Sequence, residues 1–249
     1  MAGTALPRRL DWQLASVVAK RPETPRVITL HLASEAWEGH LPGQHLDVRL
    51  TAEDGYQAQR SYSVASGPED AAVALTVERI DDGEVSPYLT DEVREGDKFE
   101  VRGPVGGHFT WRVSDGGPLL LVGGGAGVVP LMSMLRHLAA QEADVDARLL
   151  VSARSWHDVL YRDELAAFAG WPRVSVHHTL TRGAPPGWQG FERRIDADML
   201  RAVGPPAEAE PRVFVCGPTA FVERAADLLV AIGHLPQAIR AERFGPTGG

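Results

Sequence analysis

Residues 119–136 read LLLVGGGAGVVPLMSMLR. The run Leu119–Val122 is apolar at every position, so a strand built from it must be covered on both faces. Glycines at 123, 124, 125 and 127 join it directly to VVPLMSMLRHLAAQ, a helical pattern with Pro130 in the first turn, where no backbone donor is required. A doubly buried strand that passes at once into a helix is the opening unit of a parallel, doubly wound sheet. The remainder of the chain repeats it. ARLLVSAR, RVSVHHTL, RVFVCG and QAIRAERF read as strands; RDELAAFAG, DADMLRAVG and PTAFVERAADLLVAIG read as helices. The expected sheet has five parallel strands in the order 3-2-1-4-5.

Residues 10 to about 114 follow a different rule: apolar and polar residues alternate with period two, between turn signals. WQLASVVAK, RVITLHLA, QHLDVRLTA, QRSYSVAS, AVALTVERI and KFEVRGPV are the candidate strands, with one short helix expected near Ser86–Val93. Six antiparallel strands at this spacing suggest a small barrel. The expected organisation is therefore a β-barrel domain over 1–114 and an α/β domain over 115–249, with a linker near Val113–Gly117.

Composition narrows the function classes. The net charge of −8 disfavours a nucleic-acid binder. The one cysteine, Cys216, excludes an internal disulfide and a cysteine-ligated cluster or zinc site within these residues. His177 and His178 are adjacent, a poor metal pair on a strand, so no metal is expected. No apolar run is long enough for a membrane span and the first residues lack a hydrophobic signal core. A soluble, cytoplasmic monomer is the expectation.

Three stretches carry chemistry. The glycine loop before a helix start lets backbone N–H groups approach a pyrophosphate. VFVCGP, residues 213–218, ends the fourth parallel strand beside the first, at the switch point where ligands bind. In the barrel half, RSYS at 60–63 stands with GEVSPYL at 83–89 and RGPVGGHF at 102–109. Gly83 and Ser86 precede the only expected helix there, a second anion site that Arg60 can reach with a bidentate fork. Each stretch has a plainer reading: a tight turn, a buried cysteine acting as a small hydrophobe, and a snorkelling surface arginine.

RSYS, then GxxS, then GPxGxF, then a glycine-rich loop before a proline, then CGP, in that order, resembles the ferredoxin–NADP(+) reductase superfamily. The resemblance covers nearly the whole chain. It implies an FAD-binding barrel and an NAD(P)H-binding second domain. By that resemblance Arg60, with Ser61 beside it, pairs with the FAD phosphates; Tyr62 lies against the flavin ring and Ser63 near its N5. Val77, Glu78 and Arg79 follow the flavin nucleotide, and Gly83, Val85 and Ser86 hold its pyrophosphate. Gly125, Ala126 and Gly127 form the nicotinamide-nucleotide loop. Cys216, followed by Gly217 and Pro218, lies near the nicotinamide. Glu242 is the acidic residue and Phe244 the aromatic that covers the flavin. Ser63, Cys216 and Glu242 are the candidate catalytic residues, as orienting groups rather than nucleophiles. Two departures stand out: Ala126 replaces a frequent threonine, and GPTGG follows Phe244. For Tyr62 and Ser63 to reach one flavin, the strand must twist or end near Ser63.

The second and third parallel strands end in Ser152-Ala153-Arg154 and Thr181-Arg182, with no carboxylate to repel a 2′-phosphate, and Arg193 and Arg194 add charge. Charge therefore favours NADPH, with NADH possible. The expected acceptor is a separate one-electron carrier such as ferredoxin or flavodoxin, docked on a basic patch of Arg8, Arg9, Lys20, Arg21 and Arg26. Two rivals remain at this stage: a reductase of free flavin, haem or small oxidants, and a nucleotide-binding sensor without catalysis.

Overall fold

The computed structural model describes residues 10–244. The alternating half forms six antiparallel strands: β1 (Gln13–Thr24), β2 (Val27–Ala33), β3 (His45–Thr51), β4 (Gln57–Ser63), β5 (Val73–Glu78) and β6 (Lys98–Val105). Their order is β4-β3-β6-β1-β2-β5. The two edge strands meet: Val64 bridges Leu75, and the Ala65 N–H donates to the Ala74 carbonyl at 2.7 Å. That seam closes the sheet on itself and removes its free edges. Alternation has placed Leu30, Leu46, Val48, Leu75 and Val101 inside, all at most 1% exposed. The helix expected over 86–93 is present over 86–92: it starts with α geometry at Ser86 and Pro87 and continues as a π-type turn at Tyr88–Glu92.

The second half is the doubly wound sheet. Strands β7 (Leu119–Gly124), β8 (Ala147–Ser155), β9 (Val174–Gly183), β10 (Arg212–Pro218) and β11 (Ile239–Phe244) are parallel, in the order β11-β10-β7-β8-β9. Numbered from β7, this is the expected 3-2-1-4-5. The central β7 is buried at every position, as its unbroken apolar run requires. Helices α1 (Val128–Ala140), α2 (Arg162–Ala169), α3 (Ala197–Val203) and α4 (Thr219–Ala231) cover it. Helices α3 and α4 pack on one face against Leu120, Val122 and Leu150.

On the other face the core does not stop at the sheet. Leu131, Met134 and Leu135 of α1 share one apolar cluster with Ala65 and Ala74 of the barrel seam. Phe109 and Trp111, in the stretch between the two sheets, join the same cluster. Trp111 is fully buried and its indole N–H donates to the Gly116 carbonyl at 2.9 Å. The connection is therefore part of the core rather than a free linker.

The glycines between β7 and α1 divide into two kinds. A Cβ on Gly127 would lie 2.0 Å from the Cys216 carbonyl oxygen, although its φ of −62° suits any residue. Gly125 has φ +54° and open space beside it. Close packing of the loop against β10 thus demands Gly127, whereas backbone conformation favours glycine at 125. Gly127→Ala should lower stability by about 1–3 kcal/mol through overpacking. Gly107→Ala, where nothing lies within 4 Å, should stay within about 0.5 kcal/mol. Urea unfolding of both variants checks this.

Candidate functional site

The C-terminal ends of the parallel strands open onto a crevice of 330 Å³ between the two halves. The loop supplies Gly124, Gly125 and Ala126 to its wall, and Ser152, Arg154 and Thr181 come from the ends of β8 and β9. Pro218, Phe221 and Phe244 close the β10–β11 side, while Glu78 and Arg26 face it from the barrel. The location is the switch point of the sheet, between β7 and β10. Arg182 and Arg194 are exposed and lie outside this wall. Arg193 is tied to Asp196 by a 2.5 Å ion pair. Asp158 adds a carboxylate that the strand ends did not announce; it accepts from the Ser155 N–H and hydroxyl at 3.0 and 2.7 Å.

Beside the crevice, three separated residues converge around a fourth. Cys216 and Glu242 are side-by-side partners on β10 and β11. Ser63 is the cross-strand partner of His45 on β3. The His45 Nδ1 lies 3.9 Å from Glu242 Oε1, which joins the two pairs. Ser63, Glu242 and Cys216 come from the ends of three strands, so a parallel sheet must meet the barrel for them to share a neighbourhood. His45 was missed by sequence reasoning; its signal is modest, the polar alternation His45, Asp47, Arg49 opposite Leu46, Val48, Leu50.

The His45–Glu242 approach is not an ion pair. Burial pushes the Glu242 carboxyl up to about 7, and burial pulls the imidazole below its ordinary value. Both groups are therefore driven towards their neutral forms. The Glu242 Oε2 is buried and has no hydrogen-bond partner within the protein. Cys216 is 0% exposed, and burial, then the neighbouring Glu242, raise its thiol well above the ordinary range. It is a neutral thiol, unsuited to nucleophilic work.

Strand β4 runs in regular register with β3 up to Ser63 and ends there. Tyr62 packs against the barrel core, and burial pushes its hydroxyl pKa up. Ser63, 7% exposed, stays on the opposite face with His45. The strand ends at the expected place, with unbroken register up to Ser63. Ser61 also lies on the His45 side, donating to Asp47 at 2.6 Å; Asp47 in turn pairs with Arg102.

The Arg60 guanidinium meets a carboxylate of its own chain, Glu84 Oε2 at 3.3 Å, and Glu84 also accepts from the Tyr56 hydroxyl at 2.5 Å. Several barrel expectations need correction at the side-chain level. Val77 and Val85 are 0% exposed in the barrel core, so only their backbone can face a ligand. The Ser86 hydroxyl already accepts from the Ile80 N–H at 3.0 Å. Arg79 is held by Asp81 and Asp91.

The comparisons with known proteins agree with this architecture. Residues 19–111 match the family model for an oxidoreductase FAD-binding domain, and residues 121–227 that for an oxidoreductase NAD-binding domain. The chain belongs to the ferredoxin–NADP(+) reductase superfamily. Over 83% of its length it is 34% identical to the glycine betaine monooxygenase reductase subunit of Pseudomonas aeruginosa, and over 96% it is 30% identical to a flavohemoprotein of Bordetella pertussis. It spans 56% and 61% of the length of those two relatives. Among solved structures it is similar to an Amycolatopsis cytochrome P450 reductase, with a TM-score of 0.84 and 25% identity over 98% of this chain and 73% of that one. Among the described residues no helix is long and apolar enough to cross a membrane.

The buried carboxyl sets a pH signature. Because Glu242 titrates near 7 in the folded flavin-free protein and near 4.5 when unfolded, its contribution to stability is full below pH 4.5 and falls as pH rises to about 7. Glu242→Gln removes that slope. The stability difference, variant minus parent, should grow by roughly 3 kcal/mol across that window and stay level above it. Denaturant titrations of the apoprotein at several pH values measure it.

Proposed function

We propose that this chain is a flavoprotein reductase that takes a hydride from NADPH and passes electrons singly to a separate carrier such as ferredoxin or flavodoxin. The carrying observation is the meeting of the β4 end, through His45, with the Cys216–Glu242 pair beside the switch-point crevice. The residues suit the two cofactors of the family. Gly125 leaves open space on the crevice wall for a pyrophosphate, and the Glu242 Oε2 awaits a polar partner. Bound FAD supplies the exchange between two-electron and one-electron chemistry.

The protein's share is placement and proton control. In this reading residues 1–114 hold the flavin and 115–249 the dinucleotide. Arg60, released from Glu84, grips flavin phosphate, and Tyr62 supports the ring. Ser61 holds Asp47 and so steadies the strand. The backbone of Val77–Arg79 and of Gly83, Val85 and Ser86 lines the nucleotide. Gly125, Ala126 and Gly127 present N–H groups to the dinucleotide, and Ser152, Arg154 and Thr181 its ribose and 2′-phosphate, with Arg182 and Arg194 contributing from the rim. Cys216, Gly217 and Pro218 shape the floor, Phe244 covers the crevice, and Glu242 with Ser63 holds or gives a proton at its edge.

The reductase subunit of P. aeruginosa supports a protein acceptor in an oxygenase system. A second reading, reduction of haem or small oxidants, is favoured by two facts. The flavohemoprotein relative matches 96% of this chain. Two described members of the expected basic patch are also engaged within the barrel half. Lys20 donates to the Thr90 and Val93 carbonyls and Arg26 is paired with Asp81, while Arg8 and Arg9, like the GPTGG tail, lie outside them.

Anaerobic mixing with NADPH and NADH in parallel tests the reading. Bleaching of a yellow protein, faster with NADPH, is expected; faster bleaching by NADH overturns the NADPH assignment, and a protein that binds no flavin overturns the whole. Arg60→Ala should weaken flavin binding about 10- to 100-fold by loss of a charge-assisted bond. Glu84→Gln should tighten it a few-fold by freeing that arginine. Titration of apoprotein with FAD reads both.

A further inference from the structure

Helix α1 carries a polar stripe whose position the apolar core does not require. Ser133, Arg136, His137 and Gln141 recur at the spacing of one helix face, running into the cap. All four bond to residues 65–69 of the barrel half. The Ser133 hydroxyl donates to the Ser66 carbonyl and Arg136 Nη1 to the Ala65 carbonyl, each at 2.6 Å. Glu69 Oε1 meets His137 Nδ1 and accepts from Gln141 Nε2, both at 2.7 Å. Arg136 reaches furthest. Its Nε and Nη2 also clamp Glu164 of α2 bidentately at 2.7 and 2.5 Å, and its guanidinium lies 5.0 Å from the Tyr161 ring.

The anchored residue matters. Ala65 closes the barrel through its N–H and takes Arg136 through its carbonyl. It lies two residues after Ser63. On the other side Arg136 lies nine residues after Gly127, about 13 Å of helix. Apolar packing joins the two halves but is non-directional and tolerates sliding. A guanidinium with three fixed donors on two elements does not.

We propose that Arg136 is a positioning residue for hydride transfer, locking the dinucleotide loop at the head of α1 in register with the strand that ends at Ser63. The proposal rests on the functional reading above. Its consequence follows from the sensitivity of transfer to placement, where a misfit of about 1 Å costs on the order of 100-fold.

The test compares the parent with Arg136→Ala and Arg136→Lys, all loaded with FAD, under stopped-flow reduction at saturating dinucleotide. The alanine variant should retain flavin affinity within about 3-fold yet transfer hydride at least about 10-fold more slowly, with the lysine variant between. The apparent Kd for the dinucleotide should change less than the rate. Hydrogen exchange on the flavin-free proteins supplies a second readout: amides of 124–128 should exchange faster in Arg136→Ala. Unchanged transfer overturns the proposal, as does faster exchange confined to 65–66 and 164. If Arg136→Ala does not fold, Glu164→Gln, which frees the guanidinium from α2, is held to the same two readouts. A parent that neither dinucleotide reduces overturns the functional reading, and the proposal with it.

Discussion

Much of this molecule depends on two peptide units, Ala65 and Ser66, at the seam where the barrel closes. Inward, the Ala65 N–H completes the cylinder against Ala74. Outward, the two carbonyls receive α1, while the Ser66 carbonyl also meets His40 Nε2 at 3.0 Å. A strand pair would normally consume those carbonyls. Because β4 ends at Ser63, they are left over, and an uncompensated buried carbonyl costs about 1–3 kcal/mol. Docking the second half satisfies the Ala65 carbonyl and gives that of Ser66 a partner besides His40. Barrel closure and the placement of the crevice are therefore settled by the same few atoms.

The second constraint is the buried carboxyl of Glu242. A charged carboxylate there would lack the donors that stabilise it, so the group keeps its proton up to about pH 7, beside an imidazole and a thiol that burial drives towards their neutral forms. Such a site holds a proton without a fixed charge. That suits the proposed task of orientation and proton supply, and Cys216 beside it packs as a small hydrophobe.

Much of the fold was legible in the residues. Period two against unbroken apolar runs separates antiparallel strands from a doubly covered parallel sheet, and glycine between β7 and α1 marks the switch point. The site was legible as a set of segments, less so as a set of side chains. Val77 and Val85, named as nucleotide-lining residues, have their side chains in the barrel core, a burial that is known only once the fold is. His45 carries no motif; only pairing with Ser63 and the approach of β11 reveal it. Glu84 reads as an ordinary turn residue until the β4 strand brings Arg60 against it. Arg136 reads as the solvent face of a helix until the seam is formed.

The sequence by itself determined the two architectures, their order and the family, because hydrophobic period, glycine placement and short motifs are local properties of the chain. Only the tertiary structure decided which residues meet. Ser63, His45, Cys216 and Glu242 lie on four strands of two sheets and become neighbours only when those sheets meet. Their protonation follows from burial, which no local pattern encodes. The same holds for α1 on the barrel seam: the helix was evident, but its partner is a pair of carbonyls left free of strand pairing only once β4 stops and the barrel closes.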